Sequence, residues 1–113
     1  MKKTILMILS MALFSSFILA KDLVEAESTK IIKLSAYSDI GNGDILITVN
    51  NPPIGCERGF WVNGNAAGAQ HTLSLLLAAK AMNAQVSING DKDNIWSHTS
   101  AGGVCHLFNI DIL

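Results

Sequence analysis

Residues 69–89 read AQHTLSLLLAAKAMNAQVSIN. The spacing predicts one helix that runs directly into one strand, and every other segment reads as a short strand or a turn. Leu73, Leu76 and Leu77 follow i, i+3, i+4 spacing and share a face that Ala69 and Ala81 extend. Leu75, Ala78, Ala79 and Met82 fall on the other side, so the helix is apolar almost all round. Such a helix predicts burial on more than one side, under strands and loops or under a neighbouring subunit. Lys80 near the end can reach the last carbonyls. Asn65 reads as the N-cap and Asn83 as a left-handed stop. Beyond Asn83 the period changes to 2, with Val86 and Ile88 alternating against Gln85, Ser87 and Asn89.

Upstream of the helix, residues 31–37 alternate. Ile32, Leu34 and Ala36 lie on one face, Lys33, Ser35 and Tyr37 on the other. Asn42-Gly43 is a hairpin signal. Residues 44–50 form the next strand, so these two pair antiparallel. Pro52 and Pro53 end it, and GFWVN at 59–63 is a third strand. Downstream, residues 90–101 read as a polar loop and 104–113 as a final alternating strand. The order is β-β-β-α-β-β, mainly β with one helix. It matches a small Greek-key barrel of the oligomer-binding (OB) type, whose helix lies between the third and fourth strands. A layered ββαβ sheet begins the same way.

The chain has 113 residues, enough for one domain. Lys2 and Lys3, an apolar run over 5–19 and Ala20 make the layout of a signal peptide. Cleavage after Ala20 or after Ala26 fits. The run is short for a membrane span, so no membrane association is expected after cleavage. Residues 21–30 are charged and without period, and read as a flexible arm before a single domain over 31–113. Removing 1–20 removes two lysines and no acids. Eight basic residues become six against nine acids, a net charge of −3. That balance argues against nucleic acid, whose phosphates need clustered cations.

Export, secreted or periplasmic, places Cys56 and Cys105 in an oxidising compartment. They are the only two cysteines, and one disulfide is expected.

Four motifs together resemble small exported bacterial proteins. They are Cys56 running into GFWVN, the helix start NAAGAQ, the body LSLLLAAKAMNAQVSI, and VCHLFNIDI. The pattern over residues 56–112 is similar to the B subunits of pertussis-like and subtilase-type toxins. The resemblance implies an oligomer-binding fold and glycan binding by a homo-oligomer. Asn83 stands where that group usually has Gly, and no sugar-contact motif carries over.

His71, His98 and His106 match no compact metal-ligand spacing, so neither metal nor cofactor is expected. No G-x-S-x-G occurs, and Ser97 beside His98 does not place side chains for proton transfer. The chain therefore reads as non-enzymatic. Asp91-Lys92-Asp93-Asn94 is too short for a calcium loop and reads as a solvated turn. Trp61 in a strand reads as core or interface. Trp96 sits among polar residues, and aromatic faces serve as platforms for sugars and peptides. Trp96, His98 and Asn94 are thus the candidate ligand-binding residues, for a glycan or protein partner. Trp96 folded over a barrel end is the competing expectation. The alternatives to a binding domain are a structural or assembly subunit, or a small exported enzyme inhibitor.

Overall fold

The computed structural model describes residues 22–113. The expected leader over 1–20 lies outside the described residues. Among the described residues the fold is mainly β with one helix. Its elements are β1 (Leu23–Thr29), β2 (Ile31–Ala36), β3 (Ile45–Val49), β4 (Gly59–Val62), α1 (Ala69–Met82), β5 (Val86–Ile95) and β6 (Val104–Ile112). One six-stranded sheet has the order β1-β5-β6-β4-β3-β2. Every pairing is antiparallel except β4 with β6.

Two expectations are corrected here. Residues 23–29 are not an arm but strand β1, paired antiparallel along β5. Its alternation is hard to see because its inward side chains, Ala26 and Thr29, are small or polar. The strand count before the helix is therefore four. Residues 90–95, expected in a loop, continue β5 as far as Ile95 through irregular register.

Only Lys30 separates β1 from β2, and the two pair with opposite ends of the strand order. The sheet's two edges are thus the halves of one bent segment. Asn50 clamps the bend. Its Oδ1 accepts the Thr29 hydroxyl at 2.9 Å and the Lys30 amide at 2.8 Å, and its own amide donates to the Lys30 carbonyl at 3.0 Å.

A second irregularity, between Ile31 and Lys33, resets which way β2 faces. Ile31 and Leu34 both point into the core, while Ile32 is 54% exposed, contrary to the simple alternation. A bulge produces this by adding one residue to one strand of a pair. Lys33 and Ser35 stay opposite Thr48 and Leu46.

The core gathers Ile45, Ile47, Val49, Phe60, Val86, Ile88, Leu107 and Ile110 around the fully buried Leu76 of the helix. Gly90 lets β5 cross this core closely. A Cβ there would meet the Phe60 ring at 2.6 Å and the Cys105 Cβ at 3.2 Å. Cys56 and Cys105 form the expected disulfide, with Cα atoms 5.4 Å apart. It ties the segment before β4 to β6, beside their parallel pairing.

The helix ends as its sequence indicates. Asn83 adopts φ 51° and ψ 41°. Its amide donates to the Lys80 carbonyl, and the Ala84 amide donates to that of Ala79. This is the paired closure that a left-handed residue allows. The start differs: Gly68 is the N-cap, without a side-chain bond. Asn65 instead turns its amide to Asn63 Oδ1 at 2.8 Å. The buried line is Ala69, Leu76 and Ala79, with Leu73 packed beside it. Leu75, Leu77 and Met82 are exposed. The helix is therefore buried along one stripe, against β6 and β2. Among the described residues no helix is long and apolar enough to cross a membrane.

A groove on the outer sheet face

The side chains of β2 and β3 that point away from the core form the floor of a groove of about 360 Å³. Lys33 and Ser35 come from β2, Tyr37 from the residue just beyond its end, and Leu46 and Thr48 from β3. The connection between β5 and β6 forms one wall with Trp96, His98 and Thr99. Arg58 completes the other side. Its amide donates to the Gly103 carbonyl at 2.9 Å, which binds the approach to β4 onto the same connection.

Trp96 is the anchor of that wall. Only 6% of it is exposed, and its Nε1 donates to Asp44 Oδ2 at 2.9 Å. Asp44 is itself buried, and its Oδ1 accepts the Asn42 amide at 3.2 Å. The backbone agrees: the Trp96 amide donates to the Val104 carbonyl at 2.9 Å. Tyr37 and His98 flank the indole with ring centroids 5.5 Å and 5.4 Å away. The three aromatic rings make one continuous side of the groove.

The chemistry of the lining is mixed. Four hydroxyls, from Ser35, Tyr37, Thr48 and Thr99, face the space, together with the Lys33 and Arg58 cations and no carboxylate. In a chain with nine acids and eight bases, that lining is a local excess of positive charge.

The three candidate residues are divided. Trp96 and His98 stand together in the groove. Asn94 is exposed at the end of β5 and is not part of the lining; its carbonyl accepts the Trp61 Nε1–H at 3.0 Å. Trp61 in turn meets His106 edge-on, 4.8 Å between ring centres. His71 lies exposed on the helix. Among the described residues no three His, Cys, Asp or Glu side chains gather as a metal site would require.

Sequence reasoning named neither Lys33, Ser35 and Tyr37 nor Arg58. The alternation of β2 did place the first three on one face. What it lacked was the strand order that sets this face under Trp96.

A second cleft, about 380 Å³, lies at the β1–β2 bend, between Glu25, Glu27, Ser28 and the Asn51-Pro52-Pro53 turn. It has no aromatic side and no cation. Glu25 accepts the Ser87 hydroxyl at 2.8 Å and so is partly committed to the sheet.

No family model, curated protein or solved structure matches this chain.

Proposed function

We propose that the chain is an exported, non-enzymatic binding domain that holds a glycan in the groove between β2, β3 and the β5–β6 connection. The observation that carries this reading is the groove's composition: an aromatic side, four hydroxyls and two cations on one sheet face. Aromatic faces pack on the apolar faces of sugar rings, hydroxyls exchange hydrogen bonds with theirs, and Lys33 and Arg58 favour sugars bearing a carboxylate or sulfate.

The place of the groove also supports an oligomer-binding-type barrel. Taking bent β1–β2 as one first strand, the helix falls between the third and fourth strands, and the third runs parallel to the fifth. In that fold, ligands bind the sheet face between the first and last hairpin connections. The groove occupies that face, with Ile40 from one connection and Trp96, His98 and Thr99 from the other. The resemblance to toxin B subunits agrees with this reading. The disulfide supports a secreted or periplasmic location, since cytosolic thiols are kept reduced.

A glycan array probed with the purified protein tests the proposal. Binding is expected, and Lys33→Ala with Arg58→Ala should abolish it while leaving the fold intact. Array signals that survive the double substitution would refute the groove assignment. Trp96→Ala is unsuitable, because the side chain is structural.

The exposed apolar side of α1 favours a second reading, a subunit that assembles with copies of itself. Leu75 and Met82, which share that side at i, i+7 spacing, are 41% and 64% exposed. Sedimentation distinguishes the two: a strict monomer at high concentration removes the assembly reading and leaves the groove untouched.

A further inference from the structure

Asn-Gly occurs three times, at Asn42-Gly43, Asn63-Gly64 and Asn89-Gly90. Such pairs can deamidate without an enzyme. The glycine amide nitrogen loses its proton and attacks the asparagine Cγ. The N–Cγ bond forms, the Cγ–Nδ2 bond breaks, and ammonia leaves with the proton. Water then opens the five-membered imide at either carbonyl, giving aspartate or isoaspartate. Nothing is oxidised or reduced. Two things govern the rate in a folded chain. The glycine peptide must have room to swing, and the side-chain amide must be loosely held.

The three pairs differ in both respects. Asn89 Nδ2 donates to Asn109 Oδ1 at 2.7 Å, across the paired strands β5 and β6. Gly90 is packed against the buried Phe60 ring. At Asn63, Oδ1 accepts the Asn65 amide at 2.8 Å and Asn42 Nδ2 at 3.2 Å. The backbone of Gly64 lies against the Asn42 and Gly43 carbonyl oxygens, leaving no space for even a Cβ. Asn42 is exposed, in the turn between β2 and β3. Its side chain donates only the long bond to Asn63. A Cβ placed on Gly43 would have the Tyr37 carbonyl as its nearest neighbour, at an ordinary 3.9 Å. Of the three asparagines only Asn42 is exposed, and of the three glycines only Gly43 would place a Cβ clear of any close neighbour, although the Asn42 carbonyl itself rests against Gly64.

We infer that Asn42-Gly43 is a site of spontaneous modification, the one Asn-Gly pair that the fold leaves reactive. Conversion puts a new carboxylate two residues from buried Asp44, whose Oδ1 now accepts the Asn42 amide. The isoaspartate product also adds a methylene to the main chain of a turn that carries Tyr37 and Ile40 to the groove. The modification therefore loosens one wall of the groove with age. This consequence, unlike the chemistry, rests on the groove being the binding site.

Incubation of the purified protein in warm, mildly alkaline buffer, followed by peptide mapping for the amide-to-acid mass gain and for isoaspartate, tests the site. Conversion should appear first at Asn42, several-fold slower at Asn63, and at Asn89 only after unfolding. Asn42→Gln, whose longer side chain disfavours ring closure, should remove the first event alone. Conversion of Asn63 or Asn89 ahead of Asn42 would overturn the assignment. So would an unchanged Asn42 while an unfolded peptide of residues 37–48 converts fully. The consequence has its own measurement. Asn42→Asp should alter Trp96 fluorescence and weaken binding of the glycan found on the array. A variant that matches the parent in both refutes the loosening and leaves the chemical assignment standing.

Discussion

An indole N–H and a carboxylate held out of water have no solvent to replace a lost partner. Trp96 and Asp44 are in that position, 2.9 Å apart. Asp44→Ala strands the indole donor in the core at a cost of about 2 kcal/mol. Asp44→Asn keeps an oxygen acceptor and should lose less. Chemical denaturation followed by tryptophan fluorescence checks both, and equal losses would contradict the hydrogen-bond account. Gly90→Ala should cost about 2 kcal/mol, because the added methyl enters the space of a ring that is fully buried. Glu57 gives a prediction in pH. The Gly55 amide, 2.8 Å from its Oε1, and its own amide hold the carboxyl below the usual carboxylate range. A depressed folded value means that the stabilising contribution is present above the ordinary value and is lost as pH falls through the folded one. Its size is small, because the group is exposed. An NMR titration should give Glu57 a midpoint below that of a short unstructured peptide, and a midpoint at or above it contradicts the turn. Of these residues, only Trp96 is singled out by sequence. Asp44 lies 52 positions away, and no local pattern joins them.

At the scale of elements, the helix shows how far periodicity reaches. Its body, its Asn83 stop and the strand beyond it are legible, because leucine spacing, a left-handed residue and a change to period 2 are all local signals. Which side is buried is not legible. With Leu75, Leu76, Leu77, Ala78 and Ala79 in succession, every face is apolar, and only the strands beneath choose among them. They choose Leu76 and Ala79 and leave Leu77 outside. Leu76→Ala should therefore cost about 2–5 kcal/mol, while Leu77→Ala should stay within about 0.5 kcal/mol of the parent. Matching losses at the two sites, measured by urea denaturation, would mean that the helix is rotated from its described position. The strands teach the same lesson. β3 and β4 carry strong β-formers and read clearly. β1 has the sequence LVEAEST, whose buried members are too small and polar to stand out. The bulge in β2 likewise has no sequence mark, so alternation alone sends Ile32 to the wrong face.

Across the whole molecule, the pairings that close the sheet join distant parts of the chain. β1 meets β5, and β4 meets β6 in parallel, so neither pairing can form from a local hairpin. Such contacts must overcome the entropy of closing long loops before they contribute stability. The disulfide acts on that term. Its cysteines are 49 positions apart, and a cross-link over a loop of this length stabilises by about 4 kcal/mol, through the loss of unfolded-state freedom. That is a large share of the total for a domain of this size. Both sulfurs are buried in the core, so the replacement must be small and apolar to isolate the effect. Cys56→Ala with Cys105→Ala should lower stability by about that amount, with a small further loss from the removed volume. The folding rate should also fall, because the unlinked chain must find the β4–β6 pairing unaided. Reducing the parent under denaturing conditions and refolding it with reductant should give the same loss. A double-alanine variant as stable as the parent would mean that the sheet is held by its core alone. The sulfur bridge would then be incidental to the fold.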